Sequence, residues 1–511
     1  MTGIAEKHSG IRLSALFEGI LQIPAALDRE IRSLHSDSRE VLPGGLFLAC
    51  AGAGRHGLDF LDQALQRQVG VVVCEPGGSW TAERIQQLSN DRAVPVLAVE
   101  QLASQVSRIA GRFYREPGNE LTVVGVTGTN GKTSCTQFLA RALSPTLHCG
   151  VIGTLGSGFP DQLEPGTHTT PDPVRLQAEL AFLRDSGAAA VAMEVSSHAL
   201  HQGRVAGVSF DVAVLTNLSR DHLDYHGSMV EYGLAKKQLF LMPGLKCAVL
   251  NLDDPLGQSL LGELPETVLA VAYGQYVEAD MFRGAHRWVR ATEVSSSQSG
   301  MTLSIDSSWG KGSFSTPLLG RFNVSNLLAV LSVLLFLGVT FAIALARLAA
   351  LMTVPGRMEH FGGVDRPLVV VDYAHTPDAL GHVLTALREH VTGQLICVFG
   401  CGGDRDRGKR PEMAAMAEAL ASEVFITDDN PRTEDGDRIV EDILTGMKRP
   451  DRARVIRDRA QAIAQAIGHA VPGDLVLVAG KGHETSQQIG DLKLPFEDRE
   501  QVQQALERWR G

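Results

Sequence analysis

The chain has no paired cysteines. Its seven (Cys50, Cys74, Cys135, Cys149, Cys247, Cys397, Cys401) are scattered, odd in number, and form no Cys-x-x-Cys motif. That pattern argues against a disulfide scaffold or a cysteine zinc site. It fits a reducing compartment, so a cytoplasmic location is expected. Basic excess is missing too: 47 Lys and Arg face 58 Asp and Glu, a net charge of −11. Surfaces that coat nucleic acid are usually basic, so nucleic acid is not an expected partner. An anionic substrate must instead be met by local cationic clusters. Repeats are absent, which further disfavours a nucleic-acid motor. The N-terminal MTGIAEKHSGIRLSALFEGI has no long apolar core behind a basic start, so no signal peptide is expected. Long apolar runs are lacking except at Leu327 to Ala346, twenty residues without a charge and long enough to span a membrane. Ser332, Gly338 and Thr340 interrupt that run and Arg347 follows at once. The pattern predicts a buried helix, or two short helices broken near Gly338, and no membrane insertion.

The rest is ordinary for a globular protein, at 44% hydrophobic and 21% charged. At about 150 residues per domain, 511 residues give roughly three domains. Linker signals at Glu116-Pro117-Gly118-Asn119 and Pro355-Gly356-Arg357 divide the chain into 1–119, 120–353 and 354–511. Alternating short β-branched runs and helical patterns predict an α/β fold in each.

The second stretch opens on GVTGTNGKTS, Gly125 to Ser134. An apolar run, Leu121 to Val126, precedes it, and a helical pattern follows. Strand, glycine-rich turn and helix opening on Lys132-Thr133 is the arrangement that cradles phosphate. Backbone N–H groups and the positive helix end meet the oxygens, the lysine neutralises charge, and the threonine hydroxyl reaches Mg²⁺. The spacing is shorter than the strict Walker pattern, which wants Gly where Val126 stands. The loop is therefore Gly128-Thr129-Asn130-Gly131-Lys132-Thr133. Further on, Glu194 ends a strand pattern, where an acidic residue facing the phosphate loop suits Mg²⁺ or, alternatively, caps the next helix. Asn217, Asp221, His222, Asp224 and His226 crowd one loop. They resemble a metal site, although some must simply cap or solvate. His35-Ser36-Asp37-Ser38-Arg39 reads equally well as a capped turn or as a loop that holds a nucleotide or phosphate.

In the third stretch, strand patterns at Leu368–Asp372, Leu395–Gly400, Glu423–Thr427 and Leu475–Ala479 each run into a polar cluster. These are Tyr373-Ala374-His375, the glycine-rich Cys401 to Pro411 with four basic side chains, Asp428 to Arg432, and Gly480 to Glu484. Polar clusters at several carboxyl ends predict a ligand-binding sheet edge.

GVTGTNGKT, EVSSH (194–198), TNLSRDHLDYHG (216–227), GRFNVSN, DYAHTPD, GCGGDRDRGKRP, DDNPRTE and AGKGHE together resemble the bacterial Mur ligase family over nearly the whole chain. Within the family they are most similar to the diaminopimelate-adding members. The resemblance implies a UDP-sugar-binding N-terminal domain, a central P-loop ATPase domain with a mostly parallel sheet, and a Rossmann-like C-terminal domain that binds the amino acid. It implies ATP-dependent amide formation in peptidoglycan synthesis. The D-glutamate side carboxylate of UDP-N-acetylmuramoyl-L-alanyl-D-glutamate takes the γ-phosphoryl group, and an amine of meso-2,6-diaminopimelate attacks the acyl phosphate.

Residue by residue, the resemblance implies nucleotide contacts at Gly128 to Ser134, with Lys132 and Thr133 on the phosphates, and at Asn326, Arg357, Asp372 and His375. Thr133, Glu194, His222 and a carboxylated Lys236 would be metal ligands. On spacing alone Lys236 reads as an exposed helix lysine, and Lys237 is its competitor. Ser36, Ser38, His168, Thr169, Thr170, Ser196, Gln202, Arg204 and Lys236 match UDP-sugar-peptide contacts. Arg405, Asp429, Asn430, Pro431, Arg432, Gly480 and Glu484 match the diaminopimelate pocket. Ala53-Gly54-Arg55 and His168 depart from the family pattern, which leaves the pyrophosphate contacts and the His168 contact open. The competing readings are a folylpolyglutamate synthase, which shares the chemistry without a UDP domain, and a membrane-tethered binding protein using 327–346.

Overall fold

The computed structural model describes residues 10–52, 54–92 and 94–510; Ala53, part of the departure noted above, lies outside the described residues. Contacts divide the chain into two compact units. One is the chain up to Tyr273 with Val277–Arg287 and Ser332–Phe336. The other is Gly274–Tyr276, Trp288–Leu331 and Leu337–Gly511.

In the first unit the run before the glycine loop becomes the strand Thr122–Thr127, buried in all but its first residue. Valine and threonine suit a pleated surface covered on both faces. Ala190–Glu194 and Val212–Leu215 flank it in parallel. Cys149–Gly153 lies beyond the first, and Cys247–Asn251 then Leu269–Gly274 beyond the second, all parallel. The register sets Val126 against Glu194 and Thr127 against Leu215. The loop after Thr127 therefore emerges between the carboxyl ends that carry Glu194 and Thr216-Asn217. A smaller parallel sheet, Leu34–His35, Leu46–Ala49, Val71–Cys74 and Val96–Ala98, precedes it. Its apolar cluster includes Leu102, Val106 and Ile109, and also Val174, Ala178 and Ala181 of the helix Pro173–Asp185, so residues on both sides of 119 share one core.

In the second unit Leu368–Asp372, Leu475–Ala479, Leu395–Phe399, Glu423–Ile426 and Arg454–Val455 run parallel in that order, with Glu359–Gly362 antiparallel at one edge. Val370 and Leu477 fall in one apolar cluster, Val369, Val371, Val476 and Val478 in another, so both faces of the sheet are covered. The four strands expected to carry polar clusters are neighbours. Arg287–Ser297, Gly300–Ser307 and Gly310–Thr316 form an antiparallel meander.

The long apolar run forms two helices, Phe322–Phe336 and Phe341–Ala349. Gly338 between them sits at φ +86, the left-handed conformation that ends helices. Leu327, Leu328, Val330, Leu331 and Leu334 are buried. Among the described residues no helix is long and apolar enough to cross a membrane.

Candidate active site

The loop after Thr127 needs glycine at position 128. Its φ is +151, and a Cβ there would lie 1.8 Å from the Thr216 hydroxyl oxygen. The next strand's end braces the loop. The Thr129 N–H donates to the Asn217 carbonyl at 2.8 Å, the Asn130 N–H to Asn217 Oδ1 at 3.0 Å, and the Thr216 hydroxyl to the Asn130 carbonyl at 2.6 Å. Lys132 Nζ folds back to donate to the carbonyls of Gly128 and Thr129, each at 2.9 Å. Gly131 (φ +86) is the N-cap of the helix Lys132–Leu147, whose first turn holds Lys132, Thr133 and Ser134. First-turn N–H groups have no partner within their own helix, and the helix dipole is positive there. A lysine, a helix N-terminus and a braced loop can receive the oxygens of a phosphate. Gly128→Ala should lower kcat/KM for ATP about tenfold and lower the melting temperature, because the left-handed strain costs about 1–3 kcal/mol before the clash is counted. Steady-state kinetics and calorimetry check this, and an unchanged KM for ATP would detach the loop from the nucleotide.

Beside the loop, the Thr133 hydroxyl donates to Glu194 Oε2 at 3.0 Å. Thr154 donates to the same carboxylate twice, from its N–H to Oε1 at 2.8 Å and from its hydroxyl to Oε2 at 3.2 Å. Glu194 thus does not cap the next helix; Ser196 does, accepting the Ala199 N–H. Lys236 corrects its spacing-based reading. It is 1% exposed, on the buried side of the helix Met229–Lys237 with Tyr232 and Ala235. Its Nζ donates to the Gly128 carbonyl at 2.8 Å and lies 4.3 Å from the Tyr232 ring centre. Burial, and next the Lys132 ammonium, push its pKa well below the ordinary lysine value. Lys237 instead pairs with Glu263.

His222 differs from its three expected co-ligands. Its side chain is 47% exposed, at φ +53, 3.5 Å from Asp221. Its ring meets His198 at 4.9 Å and Tyr232 at 6.1 Å. His226 bonds Ser197. Among the described residues no group of three or more His, Cys, Asp or Glu is arranged to hold a metal ion. The crowded loop instead divides its work: Thr216 to Ser219 brace the phosphate loop, and the histidines form a ring cluster.

Five of the residues matched to the sugar-peptide converge. The Thr170 hydroxyl donates to the Glu194 carbonyl at 2.8 Å and accepts the Ser196 N–H at 3.0 Å. Arg204 donates to the Thr170 carbonyl at 2.9 Å and to Gln202 Oε1 at 2.8 Å. Thr154 links Thr169 to Glu194. His168 stays apart, exposed and bonded to Thr167. Ser36 donates to Asp172 at 3.1 Å, and the buried Ser38 donates to Gln63 at 2.7 Å.

In the second unit Asp372 is buried and accepts the N–H groups of Met358 and Ala374, each at 2.8 Å; burial raises its pKa against the pull of Arg357. The Arg357 guanidinium lies 4.8 Å from the Tyr373 ring centre, and His375 bonds the Tyr373 carbonyl at 2.7 Å. Asn326, buried in its helix, donates to Asn323 at 2.9 Å. At the carboxyl edge, Asn430 donates to Glu484 at 2.9 Å and to Asp429 at 3.0 Å. Arg432 donates to the Gly403 carbonyl at 2.7 Å. A Cβ at Gly480 would lie 2.6 Å from Asp429 Oδ2, and Pro431 is buried. Of the four basic residues in the glycine-rich loop, Arg410 is buried between Glu434 and Asp442, and Arg407 pairs with Glu434. Arg405 is exposed, 3.5 Å from the Asp404 carbonyl. The loop therefore offers an anion fewer cations than its sequence suggests.

Comparison with known proteins matches residues 126–334 to the Mur ligase middle domain and 356–482 to the Mur ligase glutamate ligase domain. The chain is 51% identical, over 97% of its length and 99% of the relative's, to the UDP-N-acetylmuramoyl-L-alanyl-D-glutamate–2,6-diaminopimelate ligase of Alkalilimnicola ehrlichii. It is 50% identical to the ligase of the same description from Pseudomonas aeruginosa, over 95% of this chain and 97% of that one. The chain belongs to the Mur ligase family. It is accordingly an ATP-dependent amide ligase of peptidoglycan precursor synthesis. A solved structure of a UDP-N-acetylmuramoyl-L-alanyl-D-glutamate–2,6-diaminopimelate ligase superposes with a TM-score of 0.71 at 34% identity, covering 98% of this chain and 99% of that one. A Mycobacterium tuberculosis folylpolyglutamate synthase shares the fold at 19% identity, with a TM-score of 0.58 over 78% of this chain and 95% of that one.

Within this Mur ligase, motif reading passed over several residues that touch the expected ones. Thr154 follows the strand Cys149–Gly153, and the strand-end rule that singled out Glu194 would have found it. Tyr232, whose hydroxyl meets that of Thr129 at 3.2 Å, stands four residues before Lys236 on the same helix face. Lys481 lies inside AGKGHE, between two residues that were singled out.

Proposed function

We propose that the chain joins meso-2,6-diaminopimelate to UDP-N-acetylmuramoyl-L-alanyl-D-glutamate at the expense of ATP, in the cytoplasm. The D-glutamate side carboxylate attacks the γ-phosphorus, ADP leaves, and an acyl phosphate forms. The amine of diaminopimelate attacks its carbonyl carbon, loses a proton, and expels inorganic phosphate from the tetrahedral intermediate. A carboxylate is a poor acyl donor until phosphate becomes its leaving group. Three stretches divide the work: 1–119 takes the uridine end, 120–353 the triphosphate and peptide, 354–511 the amino acid.

Lys132 and the helix N-terminus receive phosphate oxygens. Asn326, Arg357, Asp372 and His375 are further nucleotide contacts. Thr169, Thr170, Ser196, Gln202 and Arg204 orient the sugar-peptide, with Ser36 and Ser38 toward the uridine. Mg²⁺ fits the oxygen donors of Thr133 and Glu194, which are buried and 3.0 Å apart. When bound it would offset the repulsion between triphosphate and carboxylate. Lys236 joins that donor set only as a carbamate, since an ammonium has no lone pair to give. His222 is the outermost member of the proposed set.

The observation that carries the amino-acid assignment is one carboxyl edge holding both charges: Arg432, anchored on the Gly403 carbonyl, and Glu484, bonded to Asn430. Such a pocket meets the carboxylate and ammonium at the far end of diaminopimelate, and lysine lacks that carboxylate. Phosphate release from ATP should require the UDP-muramoyl dipeptide and meso-diaminopimelate together, with lysine in its place giving only background. Equal use of both amino acids would overturn the assignment.

A further inference from the structure

Lys481 is a fully buried ammonium among the residues assigned to the amino acid. Its Nζ donates to Asn430 Oδ1 at 3.2 Å, Glu484 Oε2 at 2.9 Å and the Ser486 carbonyl at 2.7 Å. Three protons meet three acceptors, so the buried cation is satisfied. These bonds fix orientations. Asn430 Oδ1 also accepts the Gln488 N–H at 2.9 Å, which turns the Asn430 amide nitrogen toward Asp429 and Glu484. Glu484 Oε2 takes two donors, leaving Oε1 outside the triangle. Burial draws the Glu484 carboxyl upward, but the Lys481 charge, its hydrogen bond and that of Asn430 outweigh this and hold it below the usual range. The same ammonium ties in the hairpin Ser486–Ile489 and Leu492–Pro495 through the Ser486 carbonyl. That hairpin pairs with Arg432, whose N–H donates to the Gln488 carbonyl at 3.1 Å and whose carbonyl accepts the Gly490 N–H at 2.6 Å.

We propose that Lys481 is a positioning residue for the amino-acid substrate, holding Asn430 and Glu484 in one fixed, charged arrangement and setting the hairpin that seats Arg432. This rests on the reading that Asp429 to Arg432 and Glu484 hold the amino acid. A cation serving only the core would leave substrate affinity alone, whereas a positioning cation acts on one substrate out of three.

Lys481→Met keeps the length and removes the donors. It should raise the KM for the amino acid about 30-fold, as loss of one partner in a buried charged network does. kcat should stay within about threefold and the KM for ATP within about twofold. Glu484→Gln in the same background should add less than about threefold further, since the two side chains act as one unit. An unchanged amino-acid KM, an equal loss in the ATP KM, or fully multiplicative effects would overturn the proposal. If Lys481→Met does not fold, Lys481→Gln is measured; failure of both to fold assigns Lys481 to folding alone and also overturns it. Wild-type enzyme is assayed beside them against diaminopimelate and lysine. Should it favour lysine, the diaminopimelate reading falls, and the Lys481 comparison is made with lysine.

Discussion

Lys236→Ala should lose about 10³-fold in kcat, in the range seen when one preorganised charged group is removed from an active site. Its position carries this expectation. The amine is 1% exposed, bonded to the Gly128 carbonyl of the phosphate loop, and close enough to Lys132 for that ammonium to depress its pKa, after burial, well below the usual value. A protonated lysine there is a buried cation beside the half-buried Lys132. The neutral amine is a nucleophile: its nitrogen adds to the carbon of CO₂, a proton leaves, and the product is a carbamate anion. That exchange replaces repulsion from Lys132 with attraction and creates the oxygens a hard cation takes. Removing dissolved CO₂ should therefore lower wild-type activity, bicarbonate should restore it, and formate or acetate should partly rescue Lys236→Ala. The sign on stability is opposite to the sign on activity. A lysine whose folded pKa is depressed binds its proton more readily in the unfolded chain, so stability rises with pH between the folded pKa and about 10.4. Lys236→Met should flatten that rise and unfold no earlier than wild type. Full activity without CO₂, or a variant that turns over normally, would remove the carbamate from the mechanism.

Strand existence was legible because β-branched runs are short and bounded. Leu368–Asp372 and Leu475–Ala479 match their sequence readings end for end. The break in the apolar run was legible from Gly338. What sequence patterns do not carry is the direction of a side chain on a helix of mixed character. Nothing in YGLAKK tells Lys236 from Lys237, yet a 100° step turns one into the loop and the other to Glu263. Nor do they carry pairing over long separations. Arg410 counts as an anion-binding cation until Glu434 and Asp442 are seen to consume it, and Arg459 forms a fully buried fork with Asp498, 39 residues away. The hairpin Ser486–Ile489 and Leu492–Pro495 carries no buried alternation to mark it, because its first strand opens on three polar residues and its second is exposed on both faces. It nevertheless sets the backbone of Arg432.

Arg432→Ala should raise the KM for diaminopimelate about 10²- to 10³-fold and leave the KM for ATP near its wild-type value, since cutting away one partner of a hydrogen-bonded charge pair that the bound substrate covers costs about 2–5 kcal/mol. The side chain is held from both ends. Its backbone is in the left-handed region at φ +53 and is bridged to Ile489, while Nη1 donates to the Gly403 carbonyl. One nitrogen is thus spent on anchoring the fork. The planar guanidinium still has other N–H groups in fixed geometry for a carboxylate. Lysine has a single nitrogen centre, so Arg432→Lys can anchor or bind but not do both, and should recover less than tenfold of the loss. A left-handed non-glycine residue costs of order 1 kcal/mol, which Arg432→Gly relieves. Arg432→Gly should therefore match the alanine variant in KM while melting no lower than wild type, which separates the guanidinium from the backbone it stands on. If Arg432→Ala left diaminopimelate kinetics intact, recognition of the far carboxylate would pass to the exposed Arg405, and Arg405→Ala would then carry the loss instead.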